Sequence, residues 1–408
     1  MVFLGAMTLQ RYLHLVYFFA FLIVWWSYCG YLLFLLIFAR GNNKKRGREA
    51  ASGGLPTVAI LVPFYNEEKL IKKKVENLAG LDYDPERMEV FFLDGMSTDA
   101  SVQIIEESIR NRPNFTCLQT NQRGKINQLN FLLPEVDADI IVNTDADGLM
   151  EKDALLKMVE EFRQGEEVAV VGALVSPVET IDEEMEHWYA QNRARILETR
   201  VASASTVIGT CYGFRKGLIE RFPEDVVADD VYTTLVASAQ GKKAVYSHNA
   251  WAWEMRAANS LREMFRHKFR KSHAVIKELA RFLPMVSKMK GLYRIIFLTK
   301  FLQQIVVPWA LILFLVLLIV LLVRPPRYEI EISYFMFVLF LPWVYMANKI
   351  LSEIKLTGKE PPGRSRLIIK AFLIGNLCLV AAGLAYPFYR QKSRYRKVSQ
   401  SVLEGSRF

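Results

Sequence analysis

Three groups of acidic residues recur along the middle of the chain, and their spacing is typical of chemistry on a phosphate-bearing molecule. They are Asp94, the pair Asp145 and Asp147 in Val-Asn-Thr-Asp-Ala-Asp-Gly, and the adjacent pair Asp229 and Asp230. Two carboxylates one residue apart can hold a hard divalent cation such as Mn²⁺ or Mg²⁺, whose other positions are filled by water and phosphate oxygens. An Asp-x-Asp pair alone is more often an acidic turn, so this metal hypothesis depends on the other motifs.

Asp229 and Asp230 open a predicted helix that continues from Val231 to Ala239. A helix N-terminus stabilises a carboxylate by roughly 0.3–1 kcal/mol, which accounts for one of the two acids as a cap. The other is a candidate general base, because transfer of a group to a hydroxyl requires a base that takes the hydroxyl proton. We assign this role to Asp230. The charge of Asp229 would raise the pKa of Asp230 by like-charge repulsion, unless Asp229 is solvated.

A basic amphipathic stretch runs from Ser260 to Leu283. Most of its basic residues are typical of a helix that lies on a membrane surface. Arg270 and Lys271 are candidates for a second task, because a departing diphosphate needs positive charge and an arginine fork supplies it.

Short β-branched runs alternate with longer helical patterns between the apolar segments, which predicts a βα repeat with a mainly parallel sheet. The predicted strands are residues 57–62, 90–93 and 140–142, and the predicted helices are residues 67–78 and 100–110. Asp99 and Asp153 precede helical stretches as predicted caps or first-turn acids. Ligands bind beyond the carboxyl ends of parallel strands, so Asn66, Asp94, Asp145 and Asp147 are expected to converge on one edge of the sheet.

The composition indicates a membrane protein with a soluble domain. The chain has 408 residues, of which 52% are hydrophobic and 12% aromatic, and its mean hydropathy is slightly positive at +0.14. A bilayer core of ~30 Å is crossed by about 20 apolar residues in a helix, so one N-terminal and three C-terminal spans are predicted. Their apolar cores are residues 12–38, 305–323, 332–347 and 371–389. The first is too long for a signal peptide and is interpreted as a retained anchor.

These spans divide the chain into five predicted regions. They are an N-terminal anchor (1–40), a catalytic domain (52–258), basic interfacial helices (259–294), a C-terminal membrane region (295–389) and a basic tail (390–408). Basic residues beside spans tend to stay cytoplasmic, so the catalytic domain is predicted to be cytosolic at the plasma (inner) membrane. If all four spans cross, the basic tail lies outside and is an exception; otherwise one apolar segment is re-entrant or interfacial.

The net charge of +10 is concentrated beside the apolar segments. This position favours anionic membrane lipids and phosphate substrates as partners over nucleic acid, for which no motif is present. The four cysteines have neither zinc nor disulfide spacing, which favours a reducing compartment for the soluble domain. The sequence carries no signal from which an oligomeric state could be predicted.

In their joint order, the motifs of this chain resemble those of membrane-bound family 2 glycosyltransferases, a group that includes cellulose, chitin and hyaluronan synthases and ceramide glucosyltransferases. The motifs are Val-Pro-Phe-Tyr-Asn-Glu-Glu (62–68), Asp-Gly-Met-Ser-Thr-Asp (94–99), Gly124-Lys125, Asp145-Ala146-Asp147, Gly209-Thr210, Asp229-Asp230 and the basic helix. The resemblance implies an α/β fold of the GT-A type, a UDP-sugar or similar donor, inversion at the anomeric carbon and a cytosolic active site at the membrane.

The same resemblance implies roles for individual residues. Donor contacts are implied for Pro63, Tyr65, Asn66, Glu67, Asp94, Lys125 and Asp145, metal contacts for Asp145 and Asp147, acceptor contacts for Gly209, Thr210 and Cys211, and catalysis for Asp229, Asp230 and Arg270. The implied acceptor is a membrane lipid or a glycan.

One departure from the family pattern bears on the acceptor. Polymer-forming members carry Gln-x-x-Arg-Trp on the interfacial helix, and this chain carries His-Lys-Phe-Arg-Lys at 267–271. The missing Trp and the presence of Cys211 in place of the usual Gly favour transfer to a lipid over polymer synthesis, which stays the alternative. Phe269, Trp251 or Trp253 would then supply another stacking surface, although Trp251, Trp253 and Trp188 are expected in the core.

Two other classes of protein remain as alternatives. An inactive membrane scaffold with this fold is disfavoured, because all the expected carboxylates are present. A membrane nucleotidyltransferase also needs metal-binding acids, but it does not predict a base such as Asp230 followed by a basic interfacial helix.

Overall fold

The computed structural model of the protein describes residues 2–42, 54–323 and 365–386, with single residues or pairs at 342, 345–346, 349–350 and 388. The described residues contain an eight-stranded sheet. Its strands are β1 (Val58–Phe64), β2 (Met88–Asp94), β3 (Phe115–Gln119), β4 (Ile140–Thr144), β5 (Gly148–Met150), β6 (Val168–Pro177), β7 (Cys211–Arg215) and β8 (Lys243–Glu254).

The helices of the described residues alternate with these strands and continue beyond the sheet. They are α1 (Val2–Trp25), α2 (Tyr31–Asn42), α3 (Ile71–Ala79), α4 (Ser101–Ile109), α5 (Lys125–Leu132), α6 (Ala154–Phe162), α7 (Asp182–Val201), α8 (Asp229–Ala239), α9 (Leu261–Phe282), α10 (Tyr293–Phe301), α11 (Val307–Val323) and α12 (Ser365–Ala385). The α/β class predicted from the sequence is confirmed.

The strand order is β3-β2-β1-β4-β7-β6-β8-β5. Parallel pairs join β1 to β2 and β4, β2 to β3, and β6 to β8, whereas β7 runs antiparallel to both β4 and β6. The carboxyl ends of β1, β2, β4, β6 and β8 and the amino end of β7 therefore lie along one edge of the sheet. The mainly parallel sheet expected from the sequence is confirmed, and the functional residues follow these strand ends.

The central strands are buried along their whole length. All seven residues of β1, all five of β4 and all ten of β6 are buried. A parallel strand that is covered on both faces is apolar throughout instead of alternating, which is why β1 reads Val-Ala-Ile-Leu-Val-Pro-Phe. The expectation that Trp251 belongs to the core is confirmed, because it is 4% exposed within the same apolar cluster, and the Trp253 ring packs against it.

The predicted βα repeat is present with shifted boundaries. The helix expected from Glu67 begins at Ile71, because Asn66 has a left-handed φ of +53° and Glu67 O accepts the N–H groups of Leu70 and Ile71 in a turn. Asn tolerates this conformation better than most residues. The turn leaves the Asn66 and Glu67 side chains at the carboxyl end of β1.

The two predicted helix caps have different outcomes. Asp99 Oδ1 accepts the backbone N–H of Ser101 at 3.0 Å, which satisfies one of the free donors at the start of α4. Asp153 occupies the N-cap position of α6 but makes no capping hydrogen bond. Its carboxylate instead lies 2.7 Å from Lys157 Nζ, one helical turn later.

Among the residues that the structure describes, two apolar stretches of helix are long enough to cross a bilayer, Tyr12–Ala39 and Tyr293–Val320. They pack on each other, and the rings of Tyr17 and Phe314 stack with centroids 5.0 Å apart. The predicted segments 12–38 and 305–323 fall on them. The predicted segment 371–389 falls mostly on α12. The predicted span at 332–347 and the predicted tail at 390–408 lie outside the described residues, apart from isolated positions in the span.

Candidate active site

The loop after β4 carries the predicted metal-binding acids and is held in a fixed shape. Gly148 N donates to Asp145 O at 3.0 Å, which closes the turn. A Cβ at Gly148 would lie 2.7 Å from Thr210 Cγ2, so the close approach of Thr210 requires glycine here. Lys74, which is fully buried, supports the loop from below by donating to Thr144 Oγ1 at 2.7 Å and to Gly148 O.

Asp145 and Asp147 form a concentrated negative charge at this loop. Burial, together with the charge of Asp145, raises the pKa of Asp147 to about 6, although Arg256 opposes the shift. Among the described residues, no group of three or more His, Cys, Asp or Glu side chains is placed to hold a metal. The two carboxylates nevertheless fit Mn²⁺ or Mg²⁺, because such ions in phosphate-binding sites use one or two protein carboxylates and would relieve this repulsion.

Lys125 connects the two acidic pairs. Its Nζ lies 2.8 Å from Asp145 Oδ1 and 3.0 Å from Asp229 Oδ2. Burial alone would lower the pKa of Lys125, but Asp145 and Asp229 hold it well above its usual value. Gly124, with φ of +105°, provides the left-handed residue from which α5 starts and so directs Lys125 into the site. The site therefore holds a fixed positive charge between the acids.

Asp229 and Asp230 have different surroundings. Asp229 is 4% exposed, and its Oδ2 accepts a hydrogen bond from Tyr212 OH at 2.7 Å in addition to its ion pair with Lys125. Its role is therefore to hold Lys125 in position, and the alternative that Asp229 is solvated is wrong. Asp230 faces the cavity described below.

The contacts of Asp230 fix its carboxylate for a reaction. Gly209 N donates to Oδ2 at 2.8 Å and Val231 N donates to Oδ1 at 2.9 Å. Burial and the negative charge of Asp229 raise the pKa of Asp230. Such a carboxylate is a stronger base than an ordinary surface Asp, as predicted from the two adjacent acids.

Arg256 and Glu254 belong to the site but were not predicted from the sequence. Arg256 donates to both carboxylate oxygens of Glu67, with Nη1 at 2.9 Å from Oε1, and lies 3.5 Å from Asp147 Oδ2. Burial, together with Asp147 and Asp145, raises the pKa of Glu254 to about 7, although Lys271 opposes the shift. The position of β8 in the sheet places both residues at the site. No local motif marks the end of β8, so the sequence did not predict them.

The basic helix α9 is fastened to α7 beside the site. Lys268 Nζ lies 2.9 Å from Glu184 Oε2, and both side chains are buried. Lys271 Nζ lies 5.2 Å from the centroid of the Trp188 ring, a cation–π contact. Lys271 also opposes the pKa rise of Asp230, so the basic helix delivers its charge into the site.

One cavity of about 830 Å³ joins these groups. Most of the predicted site residues line it, namely Pro63, Tyr65, Glu67, Lys125, Asp145, Asp147, Gly209, Thr210, Asp229, Asp230 and Arg270. Trp188 also lines it, although the ring is only 7% exposed and belongs to the core as expected. The glycine and threonine of the predicted acceptor motif are therefore close to the candidate base.

The cavity lining does not include Asn66, Asp94 or Cys211. Asn66 Oδ1 accepts from Thr98 N at 2.8 Å and Asp94 Oδ1 from Ser97 N at 3.0 Å, so these two side chains shape the loops after β1 and β2. The assignment of Cys211 to the acceptor is wrong. Its side chain is fully buried, 3.8 Å from Met158 Sδ, because position 211 begins β7 and faces the core.

Comparison with known proteins agrees with this arrangement. Residues 59–222 match the family described as Glycosyl transferase family 2. The chain carries a glycosyl transferase family 2 domain. A beta-monoglucosyldiacylglycerol synthase of Nostoc sp. is 34% identical over 139 residues, which cover 33% of this chain and 29% of that protein. A poly-beta-1,6-N-acetyl-D-glucosamine synthase of Staphylococcus aureus is 24% identical over 260 residues, covering 60% of this chain and 61% of that protein. The chain thus matches less than two thirds of the length of either relative.

The fold is similar to that of a solved mannosyltransferase, PcManGT from Pyrobaculum calidifontis, whose structure is a complex with GDP-Man and Mn²⁺. The similarity covers 91% of this chain and 99% of that one, with a TM-score of 0.66 and 20% sequence identity. The expected GT-A fold is confirmed, and the similarity extends beyond the family 2 domain into the apolar helices.

Proposed function

We propose that this chain is a membrane-anchored inverting glycosyltransferase that moves a sugar from a nucleotide diphosphate, in the first instance UDP, to a hydroxyl of a membrane lipid. The observation that carries the proposal is the shared cavity of Asp230 and the pair Asp145 and Asp147. A base for the acceptor and an acidic pair for a metal–diphosphate complex are the two parts that a single displacement needs. Relatives that make glycolipids and polysaccharides support the reaction class.

In the proposed reaction, the lipid hydroxyl attacks the anomeric carbon from the side opposite the diphosphate. Asp230 accepts the hydroxyl proton as the new C–O bond forms, and the diphosphate leaves with the electrons of the broken bond. Arg270, which lines the same cavity, provides positive charge toward the departing diphosphate. Asp145 and Asp147 would hold a Mn²⁺ or Mg²⁺ ion, which adds positive charge at the same place. The Mn²⁺ in the mannosyltransferase of similar fold supports a divalent metal.

The membrane anchor is proposed from the surfaces of the two long apolar stretches. Phe19, Trp309 and Ile319 are 59%, 47% and 60% exposed on them. Large apolar side chains that point outward from such helices are costly in water and favourable in lipid. The basic residues beside the apolar segments support a cytosolic active site at the inner surface of the plasma membrane.

Polymer synthesis is a second candidate function, and the position of Trp188 favours it. This ring lines the cavity beside the basic helix α9. It could replace the aromatic ring that polymer-forming relatives carry on that helix and that this chain lacks there. The similarity to a poly-beta-1,6-N-acetyl-D-glucosamine synthase supports the same reading. A growing glycan would then replace the lipid as the acceptor.

The experiment that tests both candidates supplies membranes containing the chain with labelled nucleotide sugars and either Mn²⁺ or Mg²⁺, with Asp230→Asn as the control. Asp230-dependent label in the organic extract supports lipid transfer and identifies the donor. Label in high-molecular-weight material supports polymer synthesis instead. No Asp230-dependent label with any donor would overturn both and favour an inactive scaffold.

A further inference from the structure

A π-helical turn interrupts each of the two long apolar stretches. Trp26–Gly30 lies between α1 and α2, and Leu302–Val306 lies between α10 and α11. Such turns change the direction of backbone groups and are frequent at functional sites. The two turns contact each other, because Gln303 Nε2 donates to Ser27 O at 2.6 Å. We refer to these facing turns as the paired π-turns.

The paired π-turns bring polar side chains into an otherwise apolar group of helices. Tyr28 OH donates to Asn376 Oδ1 on α12, and Gln303 and Gln304 lie on the second turn. All four side chains line the same cavity as Asp230. Polar groups inside membrane-spanning segments are costly and usually mark a binding site or a pathway. The cavity therefore continues from the base to a polar region between the apolar helices.

The charged residue that α10 brings to this cavity is neutralised. Lys300 Nζ lies 2.9 Å from Glu198 Oε1, which also accepts from Tyr31 OH at 2.7 Å, and Ser205 N donates to Glu198 Oε2 at 2.9 Å. Burial alone would raise the pKa of Glu198, but Lys300 and Ser205 lower it, which favours the ionised carboxylate. A closed ion pair offers no net charge to a phosphate. This end of the cavity accordingly suits an uncharged polar group.

Gln304 provides the observation that points to a ligand. Its Oε1 is buried and accepts no hydrogen bond from any of the residues that the structure describes. A buried amide oxygen without a donor is destabilising, and most such atoms in proteins are satisfied by a partner or by a ligand. Because Gln304 lines the cavity, a hydroxyl or amide group that enters the cavity would supply the missing donor.

We propose that the paired π-turns, with Asn376, bind the head group of an uncharged lipid alcohol, which is the acceptor of the transfer reaction. The inference rests on the proposed function and specifies its acceptor class. The reacting hydroxyl of the lipid loses its proton to Asp230 and gains the bond to the anomeric carbon, while the bond between that carbon and the diphosphate breaks. A second hydroxyl or an amide N–H of the head group donates to Gln304 Oε1. The other polar atoms of the head group contact Gln303 and Tyr28, and the acyl chains lie among the apolar helices.

Gln304→Leu tests the proposal in the full chain reconstituted in nanodiscs. The substitution removes an oxygen that accepts no hydrogen bond from the described residues, so folding should be preserved. Thr299→Val is the matched control, because Thr299 Oγ1 accepts from Trp26 Nε1 at 3.1 Å across the same two helices but does not line the cavity. The acceptor probes are a ceramide, whose amide N–H and second hydroxyl can donate to Gln304, 1,2-dioleoylglycerol, whose single hydroxyl is the reacting group, and a polyprenyl phosphate. Each is supplied with the donor that the first screen identifies.

We expect the KM for ceramide to rise roughly 3- to 10-fold in Gln304→Leu, as for one lost hydrogen bond, with the KM values for dioleoylglycerol and for the sugar donor unchanged. The Thr299→Val variant should keep all these KM values. Equal ceramide KM values in the two variants would overturn the inference, as would preferred transfer to dioleoylglycerol or to the polyprenyl phosphate.

Binding is measured separately from catalysis by photocrosslinking a diazirine-bearing ceramide to the Asp230→Asn protein. The site is supported, even without turnover, if unlabelled ceramide suppresses the crosslinking and Gln304→Leu reduces it. Wild-type transfer to lipid without such crosslinking would overturn the inference and leave the proposed function intact. Crosslinking without any Asp230-dependent transfer in the wild-type protein would overturn the proposed function alone.

Discussion

Replacing Asp230 with Asn tests the central step of the proposed reaction. The change removes the base but keeps the size of the side chain. General bases contribute about 10²- to 10⁴-fold to a rate, which corresponds to about 2.7–5.5 kcal/mol of transition-state stabilisation. We therefore expect kcat to fall by about 10²- to 10⁴-fold, while the Kd of the donor changes little because Asp145, Asp147 and Lys125 are unaltered.

The effect of this substitution on folding can be worked out from the same contacts. Gly209 N and Val231 N donate to different oxygens of Asp230, and Asn has one acceptor oxygen, so one N–H loses its partner. An unsatisfied group of this kind costs about 1–3 kcal/mol. Loss of the repulsion from Asp229 offsets part of this cost, since that charge raises the pKa of Asp230. A folded variant with lowered thermal stability is expected.

The assay measures kcat with saturating labelled donor and lipid, and donor Kd by titration. Asp225→Asn is the matched control, because this nearby acid pairs with Lys277 and Arg281 and lies outside the cavity lining. It should keep the wild-type kcat. A folded Asp230→Asn protein with kcat within tenfold of the wild type would refute the assignment of the base.

Three further predictions concern pH, the metal and the loop after β4. Asp230 must be ionised to accept a proton and its pKa is raised, so kcat/KM should fall on acidification at a higher pH than for an ordinary Asp. Asp229→Asn should move this acidic fall of the pH profile to lower pH. An unmoved profile would contradict the influence of the Asp229 charge on the pKa of Asp230. Asp147→Ala should raise the metal concentration needed for half-maximal activity at least about tenfold, and an unchanged metal titration would count against Asp147 as a ligand. Gly148→Ala should cost about 1–3 kcal/mol of stability in thermal unfolding, because the added methyl group meets Thr210, and should also weaken donor binding; an unchanged Tm would contradict the close packing.

The order of short motifs in the sequence was sufficient to predict the fold class and eleven of the residues that line the cavity. Strand ends are local features, because a buried β-branched run followed by a polar turn can be read without knowing the partner strands. Asp145, Asp147 and Asp230 were found in this way, since each acid follows an apolar run or opens a helical pattern. For Asp229, the sequence predicted the effect on the pKa of Asp230 but not the pairing with Tyr212 and Lys125, because that pairing depends on where β7 and α5 lie.

Residues that support the site from a distance in sequence were not predicted. Lys74 is 70 residues from Thr144, which it contacts, and Arg256 is 189 residues from Glu67. Neither has a motif of its own, since Lys74 is one of three successive lysines in an amphipathic helix. Cys211 was wrongly given to the acceptor, because its adjacency to Thr210 in sequence does not reveal that its own side chain packs in the core beside Met158.

The sequence by itself therefore determined which residues are candidates for the proposed sugar transfer and which segments are apolar enough for a membrane. The joint order of motifs that resemble those of family 2 glycosyltransferases carries the first kind of information, and composition carries the second. Only the tertiary structure decided that Asp229 holds Lys125 while Asp230 faces the cavity, and that the paired π-turns bring Gln304 into the same space. These facts depend on contacts between segments far apart in the chain, and the burial that raises the pKa of Asp230 exists only once those segments have packed together.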